Sequence, residues 1–358
     1  MNFKKLLALL LSLALLLNFA ACGKGKTSDS TTKGTTTKTI TEESDTVGES
    51  ETNENTDGTT APEGSGGNNA GGGASVEDGI TPLLYKVTDA NGNVLWLFGS
   101  IHVGKEYFYP LPDYVLNAYN SSDALAVEFD VTEVSDDALT TSMMMDMAYM
   151  DGSKIGDHID KELYEEAKEI LRESGYYFSS MDIFKPVMWS MLIDELITEQ
   201  LNYDADLGID MFFLNTAHEE NKKIYDIESM EFQMDMLTGY SEELQIMMLE
   251  SSVYYFDNID EYQKDLDDLA NEWAVGNAEA LAEEDDYEFE SAEEEALYRE
   301  YNTAMMTKRN RGMTNFAENA LKSGEEVFIV VGAAHMVGDD GIANQLKERG
   351  YTVEEIRG

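Results

Sequence analysis

Cysteine occurs once in 358 residues, which excludes a disulfide framework, a Cys-ligated zinc site and an iron–sulfur cluster. Basic side chains are scarce too: 24 Lys and Arg stand against 71 Asp and Glu, for a net charge of −47. Nucleic-acid binding rests on Lys and Arg displacing phosphate counterions, so no nucleic-acid partner is expected. There is no GxSxG, which argues against an α/β-hydrolase serine, and no HExxH, which excludes a standard zincin. No internal repeat of solenoid period is present. What remains is ample: 42% of the chain is hydrophobic, enough for a sizeable core.

The N-terminus reads as an address. Residues 1–22 are MNFKKLLALLLSLALLLNFAAC, with Lys4 and Lys5 ahead of an apolar run from Leu6 to Phe19 and small Ala20 and Ala21. That is the pattern of a secretory signal, short for a membrane span. The following Cys22 makes the segment resemble a bacterial lipobox, with Phe19 where Leu is usual. Lipidation of Cys22 would anchor the mature protein to the membrane; the plain alternative is secretion with an incidental cysteine. Either reading is extracytoplasmic. Residues 23–78 are Gly, Ser, Thr, Asn and Glu with almost no large apolar side chains. Such a segment is expected to be a disordered tether, spanning about 40 Å as a random coil. Residues 79–358 hold 60 acidic and 18 basic side chains, a net −42. That charge is repelled by anionic headgroups, which favours tethering over surface adsorption.

Residues 79–358 predict an α/β (α+β) domain: a central mixed sheet with βαβ units and a large helical insertion. Residues 83–87 and 94–98 read as strands around an Asn-Gly turn. A helix over 113–121 and a strand over 124–128 follow, a βαβ unit with parallel flanking strands. Helical spacing covers 160–174, 183–201, one long amphipathic helix over 249–273, and 292–321. Lys223 to Ile227 is a short strand; the chain ends with a buried strand over 326–331, a helix over 341–349 and a strand over 352–356.

Two segments stand out. Gly99-Ser100-Ile101-His102 and Gly332-Ala333-Ala334-His335 each directly follow an apolar strand. Loops past the carboxyl ends of parallel strands converge on ligands, and Gly allows close backbone approach. Glu128 ends the strand after the first crossover and should emerge at the same edge. Two imidazoles and a carboxylate are a known ligand set for a catalytic divalent ion with an open position. Taken singly, each GxxH is as readily a hydrogen-bonded loop histidine; the repeated context points to a joint site.

These residues also resemble a known family. Leu97 to Gly104, Tyr109-Pro110-Leu111-Pro112 and Ala124 to Asp130 are similar to the N-terminal signature of the TraB/GumN family. Gly208-Ile209-Asp210, Ile227 to Gln233, Arg309-Asn310 and Val331 to His335 resemble its later blocks, in order. The resemblance covers about 80–358. It implies relation to the Tiki metalloproteases, and more distantly to erythromycin esterases and a haem-binding lipoprotein group. It implies a site on His102, His335 and Glu128, with peptide hydrolysis assisted by manganese or cobalt; the donor types would also accept zinc. Asp210 is carried over as a metal-site residue, and Arg309 and Asn310 as site-lining residues that could stabilise an oxyanion. Two rivals keep the same cleft: a lipoprotein that binds a peptide or haem without turnover, and a metal-independent esterase.

Other features are discounted. Gly99 to Glu106 nearly matches a P-loop but has Glu where Ser or Thr must meet magnesium. Met143, Met144, Met145, Met147 and Met150 suit a helix core or adaptable surface better than copper. His158 and His218 read as surface residues, and the nine acids between Glu283 and Glu295 as a solvated face. Asp204 to Asp210 has the wrong Gly position for a calcium loop; helix N-capping by an Asp is expected instead.

Overall fold

A computed structural model describes residues 79–133, 137–282, 289 and 291–358. The expected signal segment 1–22 with Cys22, the tether 23–78 and most of the acidic run from Glu283 lie outside the described residues. The described residues fall in one compact unit. No helix among them is long and apolar enough to cross a membrane.

The chain opens with a hairpin, β1 (Leu84–Thr88) and β2 (Val94–Ser100), paired antiparallel with Thr88 opposite Val94. Asp89 closes the turn by accepting from the backbone N–H groups of Asn91 and Asn93, and Gly92 takes a positive φ of 89°. Helix α1 (Asp113–Ser121) leads to β3 (Ala124–Val127), which is wholly buried. A helical region follows: α2 (Asp137–Asp146), α3 (Lys161–Glu173), α4 (Pro186–Thr198) and α5 (Ile209–Glu220). After β4 (Lys223–Asp226) come α6 (Met230–Thr238), α7 (Glu242–Asp257), α8 (Ile259–Ala274), α9 (Ala278–Leu281), α10 (Ala292–Asn302) and α11 (Arg309–Ser323). The end returns to the sheet with β5 (Val327–Gly332), the short α12 (Ala333–Met336), α13 (Ile342–Glu348) and β6 (Thr352–Ile356).

The six strands form one mixed sheet in the order β4-β3-β5-β2-β1-β6. Strands β4, β3, β5 and β2 run parallel, and β1 is antiparallel to both β2 and β6. The expected α/β class with a mixed sheet and a helical insertion is therefore found. The strands β2 and β3 flanking the first crossover are parallel as expected, but β5 lies between them. That order brings the carboxyl ends of β2, β5 and β3 side by side. Phe213 of α5 packs beneath, with ring centroids 5.6 Å from Phe98, 5.0 Å from Phe328 and 5.1 Å from Tyr119.

One helix expectation needs correction. The single helix over 249–273 is two helices, broken at Asn258, whose φ of −123° and ψ of 47° leave the helical region. Its side-chain amide donates to the Tyr254 carbonyl at 2.7 Å, the local competition that makes Asn a helix breaker. Tyr255 and Tyr262 pack edge to face across the break, 4.9 Å apart. The stretch 292–321 is helical throughout, but Thr303–Lys308 is a π-helical segment between α10 and α11.

Candidate functional site

The three strand ends deliver the sequence-predicted residues to one place. Ser100 closes β2 in register with Gly332, which closes β5, and Glu128 follows β3 directly. A Cβ on Gly332 would stand 3.5 Å from the His335 ring, 3.6 Å from Glu128 Oε1 and 3.8 Å from His102 Nε2. Glycine thus keeps open a space that the three side chains border. His335 lies in α12, so this GxxH opens a helical turn, whereas His102 lies in a loop.

Each imidazole is held from behind. Nδ1–H of His102 donates to Asp210 Oδ2 at 2.7 Å, and Nδ1–H of His335 donates to Asn310 Oδ1 at 2.6 Å. The Asn310 amide is oriented in turn, because its Nδ2 donates to the Asp340 carbonyl at 3.0 Å. Both Nε2 atoms are left toward Glu128; that of His335 lies 3.9 Å from Glu128 Oε1. This is the outer-partner arrangement that fixes metal-ligating histidines.

Asp210 reaches His102 by a close backbone approach. Ile209 N–H donates to Ile101 O at 2.9 Å, and Gly104 and Asp204 exchange both backbone bonds, at 2.9 and 3.0 Å. A Cβ on Gly208 would lie 2.2 Å from His102 O, so only Gly allows this contact. Asp210 then sits in the first turn of α5, aimed at the ring. It meets the nitrogen remote from Gly332 and does not line the cavity, so the expectation that it ligates a metal becomes an orienting role behind His102. Asp204 caps the short turn ahead of α5 by accepting from Asp206 N–H at 2.9 Å, as the N-capping expectation has it.

Arg309 is buried and spent. Its Nη2 donates to Glu128 Oε2 at 2.5 Å and to Glu228 Oε2 at 2.9 Å, and its Nε donates to Glu228 Oε1 at 3.0 Å. Gln233 Nε2 bonds the same two carboxylates at 3.2 and 2.9 Å. Glu228 and Gln233 belong to this network and carried no role in the sequence reading, although both lie in the Ile227–Gln233 block. Burial alone would push the Glu128 carboxyl up; Arg309 above all, then His335, His102 and the Gly332 N–H, hold it well below the usual carboxylate range. Burial and then the Arg309 cation drive His335 down to about 3, against the pull of Glu128. Burial also works against charge on His102, but the Asp210 carboxylate outweighs it and lifts the pKa to about 9.

The residues border a cavity of about 450 Å³, within the ordinary range for small-ligand sites. Its polar lining includes Ser100, His102, Glu128, Arg309, Asn310 and His335. Its apolar and aromatic lining includes Leu269, Trp273, Leu281, Tyr298, Met305 and Met306. Trp273 is pinned by donating from Nε1 to Gly99 O at 2.9 Å, which ties α8 to the end of β2.

Does the donor set fit a divalent ion? Neutral His335 Nε2 and the Glu128 oxygen are two acceptors facing each other, and a cation between them satisfies both. Two carboxylates, Glu128 and Glu228, share one guanidinium, and Asp210 adds a third negative charge behind His102. The ligand atoms are spread, however. Among the described residues, the group of His and acid ligand atoms all within 4.8 Å of one another is Asp130, Glu133 and His218. His102, Glu128 and His335 would have to draw together around an ion. The set fits in chemistry, and the side-chain-free space at Gly332 leaves room for it.

The Asp130, Glu133 and His218 group could itself hold a metal ion, and it was not foreseen in the sequence. His218 Nε2 lies 2.6 Å from Asp130 Oδ2, so this histidine is partnered rather than simply superficial. His158 likewise bonds Glu242 at 2.9 Å and Ser153 at 2.7 Å and stacks on Tyr149. Met143 and Met147 are buried while Met144, Met145 and Met150 are exposed, the mixed use expected of a helix flank.

The family model described as the TraB/PrgY/gumN family matches residues 83–355. Two similar proteins are the uncharacterized protein YbaP of Escherichia coli (strain K12) and its Shigella flexneri counterpart. Each is 23% identical over 254 residues, 70% of this chain and 87% of the relative. No solved structure matches.

Proposed function

The chain belongs to the TraB/PrgY/gumN family, and on that footing we propose that it is a metal-dependent hydrolase of peptides. One observation carries the reading: two histidines with their Nδ1 atoms taken by Asp210 and Asn310 turn both Nε2 atoms toward Glu128, across the space Gly332 leaves open. His102, His335 and Glu128 Oε1 would hold the ion. The ion, when bound, supplies a water acidified toward neutrality and polarises the scissile carbonyl. Asp210 and Asn310 orient the two rings, and the ion would have to displace the Nε2 proton that Asp210 favours on His102. Arg309 holds Glu128 ionised through Oε2, while Oε1 accepts from the Gly332 N–H at 3.0 Å and keeps a second lone pair for a ligand. The apolar wall at Trp273, Met305 and Met306 excludes water and seats the substrate.

The test is turnover of a peptide library by the purified protein with chelator and with added manganese, cobalt or zinc. Activity that falls with chelator, returns with metal and is lost in His102→Ala and His335→Ala supports the reading. Full activity in chelator refutes it and favours a metal-independent hydrolase at the same site. The specific observation behind that second reading is the charged pair of His102 with Asp210, which disfavours a neutral, ligating His102.

The same proposal places the protein outside the cytoplasm, anchored through a lipid on Cys22. The support is the N-terminal sequence pattern. Cys22→Ser should move the protein from the membrane fraction to the soluble one.

A further inference from the structure

The sequence offers Arg309 and Asn310 as donors to the oxyanion that forms when a carbonyl is attacked. The structure commits both elsewhere. Arg309 Nε and Nη2 serve Glu228 and Glu128, and its Nη1 meets Met305 Sδ at 3.2 Å. Asn310 gives Nδ2 to the Asp340 carbonyl and Oδ1 to His335. Recruiting either would break the support of Glu128 or of His335.

Ser100 is different. It is 3% exposed, lines the cavity, and its Oγ has no hydrogen-bond partner in the protein. A buried hydroxyl left unpaired costs about 1–3 kcal/mol, so it calls for an explanation. Its direction supplies one. Ser100 and Gly332 are lateral partners in a parallel pair, and such partners point to the same face of the sheet. On that face the Gly332 Cβ direction leads into the space between His102, Glu128 and His335. Ser100 Oγ is therefore a fixed donor on a rigid strand, beside the place where a reacting carbonyl would sit.

We propose that Ser100 is the oxyanion donor of this site: its Oγ–H hydrogen-bonds the substrate carbonyl oxygen and holds it as negative charge develops. The inference rests on the hydrolase reading and adds to it a catalytic residue that touches substrate. A preorganised donor of this kind acts on the tetrahedral state far more than on the ground state. Its hydrogen bond forms with substrate, not with the fold.

The experiment compares the full chain with Ser100→Ala in three measurements. Calorimetry measures binding of a phosphonamidate dipeptide, a tetrahedral anion, and of the dipeptide with the same side chains. Hydrolysis of that dipeptide is followed in parallel. Urea unfolding reads the fold. The expected result is that Ser100→Ala weakens phosphonamidate binding and kcat about 100–1,000-fold while dipeptide binding changes by no more than about 3-fold. The unfolding midpoint should not fall, because no internal bond is lost. An equal loss for both ligands, or a lowered midpoint, would make Ser100 a structural or general binding residue and overturn the assignment. So would covalent labelling of Ser100 by a fluorophosphonate, which would make it a nucleophile. Phosphonamidate binding and turnover by wild type that persist unchanged in Ser100→Ala overturn the Ser100 role alone. A wild type that neither binds the phosphonamidate nor hydrolyses peptide overturns the hydrolase reading and this inference with it.

Discussion

Replacing Arg309 by Leu would leave Glu128 and Glu228 buried together without a counter-charge. Removing one partner of a buried ionic network is far more costly than the network's net worth, because the remaining charges stay desolvated. The expected loss is about 3–5 kcal/mol in urea unfolding; a change below 1 kcal/mol would mean that the carboxylates find other compensation. Asp210→Ala acts differently, since it removes the orienting partner of His102 and leaves the ligand. Manganese affinity should fall about 10–100-fold with the fold intact, read by calorimetry. Unaltered affinity would dissociate Asp210 from ligation altogether. At this scale the sequence showed His102, Glu128 and His335 because strand-then-GxxH is a local pattern. It did not show Glu228, Gln233 or the orphan hydroxyl of Ser100. A carboxylate's burial beside a guanidinium 81 positions away leaves no trace in its own neighbourhood, and an unpaired hydroxyl is visible only once its surroundings are known.

Elements carry their own signatures and their own tests. The hairpin, α1 and the buried strand β5 were legible because turn residues and apolar runs are dictated locally. The break at Asn258 and the π segment Thr303–Lys308 were not, since an apolar period of threes and fours survives both. Gly208 is a contact between elements: Gly208→Ala drives a methyl against the His102 carbonyl and must push the start of α5 off the β2 loop. The cost should be at least about 1–3 kcal/mol, with loss of the Asp210–His102 bond detectable by NMR of the ring. The pair α4 and α7 holds another device. Asp194 is 3% exposed between Ser190 and Ser252, whose hydroxyls are 2.7 Å apart. Burial raises its pKa from 3.8 to about 7, against the two serine hydrogen bonds. The folded state therefore prefers the neutral acid. This contribution is fully present below about pH 4 and is lost as pH rises toward 7, by up to about 4 kcal/mol at 1.36 kcal/mol per pKa unit. Asp194→Asn should match the wild type at pH 4 and exceed it by about 2–4 kcal/mol at pH 8. Parallel stability curves for the two proteins would show that Asp194 is ionised without penalty.

The whole molecule is dominated by charge of one sign. Residues 79–358 carry 60 acidic against 18 basic side chains, and among the described residues most of these groups lie on the surface. Such a surplus repels itself across the folded surface and relaxes when the chain expands, so it opposes folding over distances that salt can screen. The Debye length falls from about 10 Å at 0.1 M to about 3 Å at 1 M salt, which removes repulsion between distant carboxylates. Sodium chloride should therefore raise Tm over this range. The buried Glu128–Arg309–Glu228 network is another matter, because Arg309 and its partners are shielded from counterions. Wild type and Arg309→Leu should differ in Tm by the same amount at low and high salt, two lines rising in parallel. A Tm that falls with salt would mean that favourable pairs outweigh repulsion despite the net charge. A gap that closes with salt would mean that the network is wet. The charge imbalance is wholly legible in the sequence. That one guanidinium is set apart from it is a property of the sheet order, which no stretch of sequence contains.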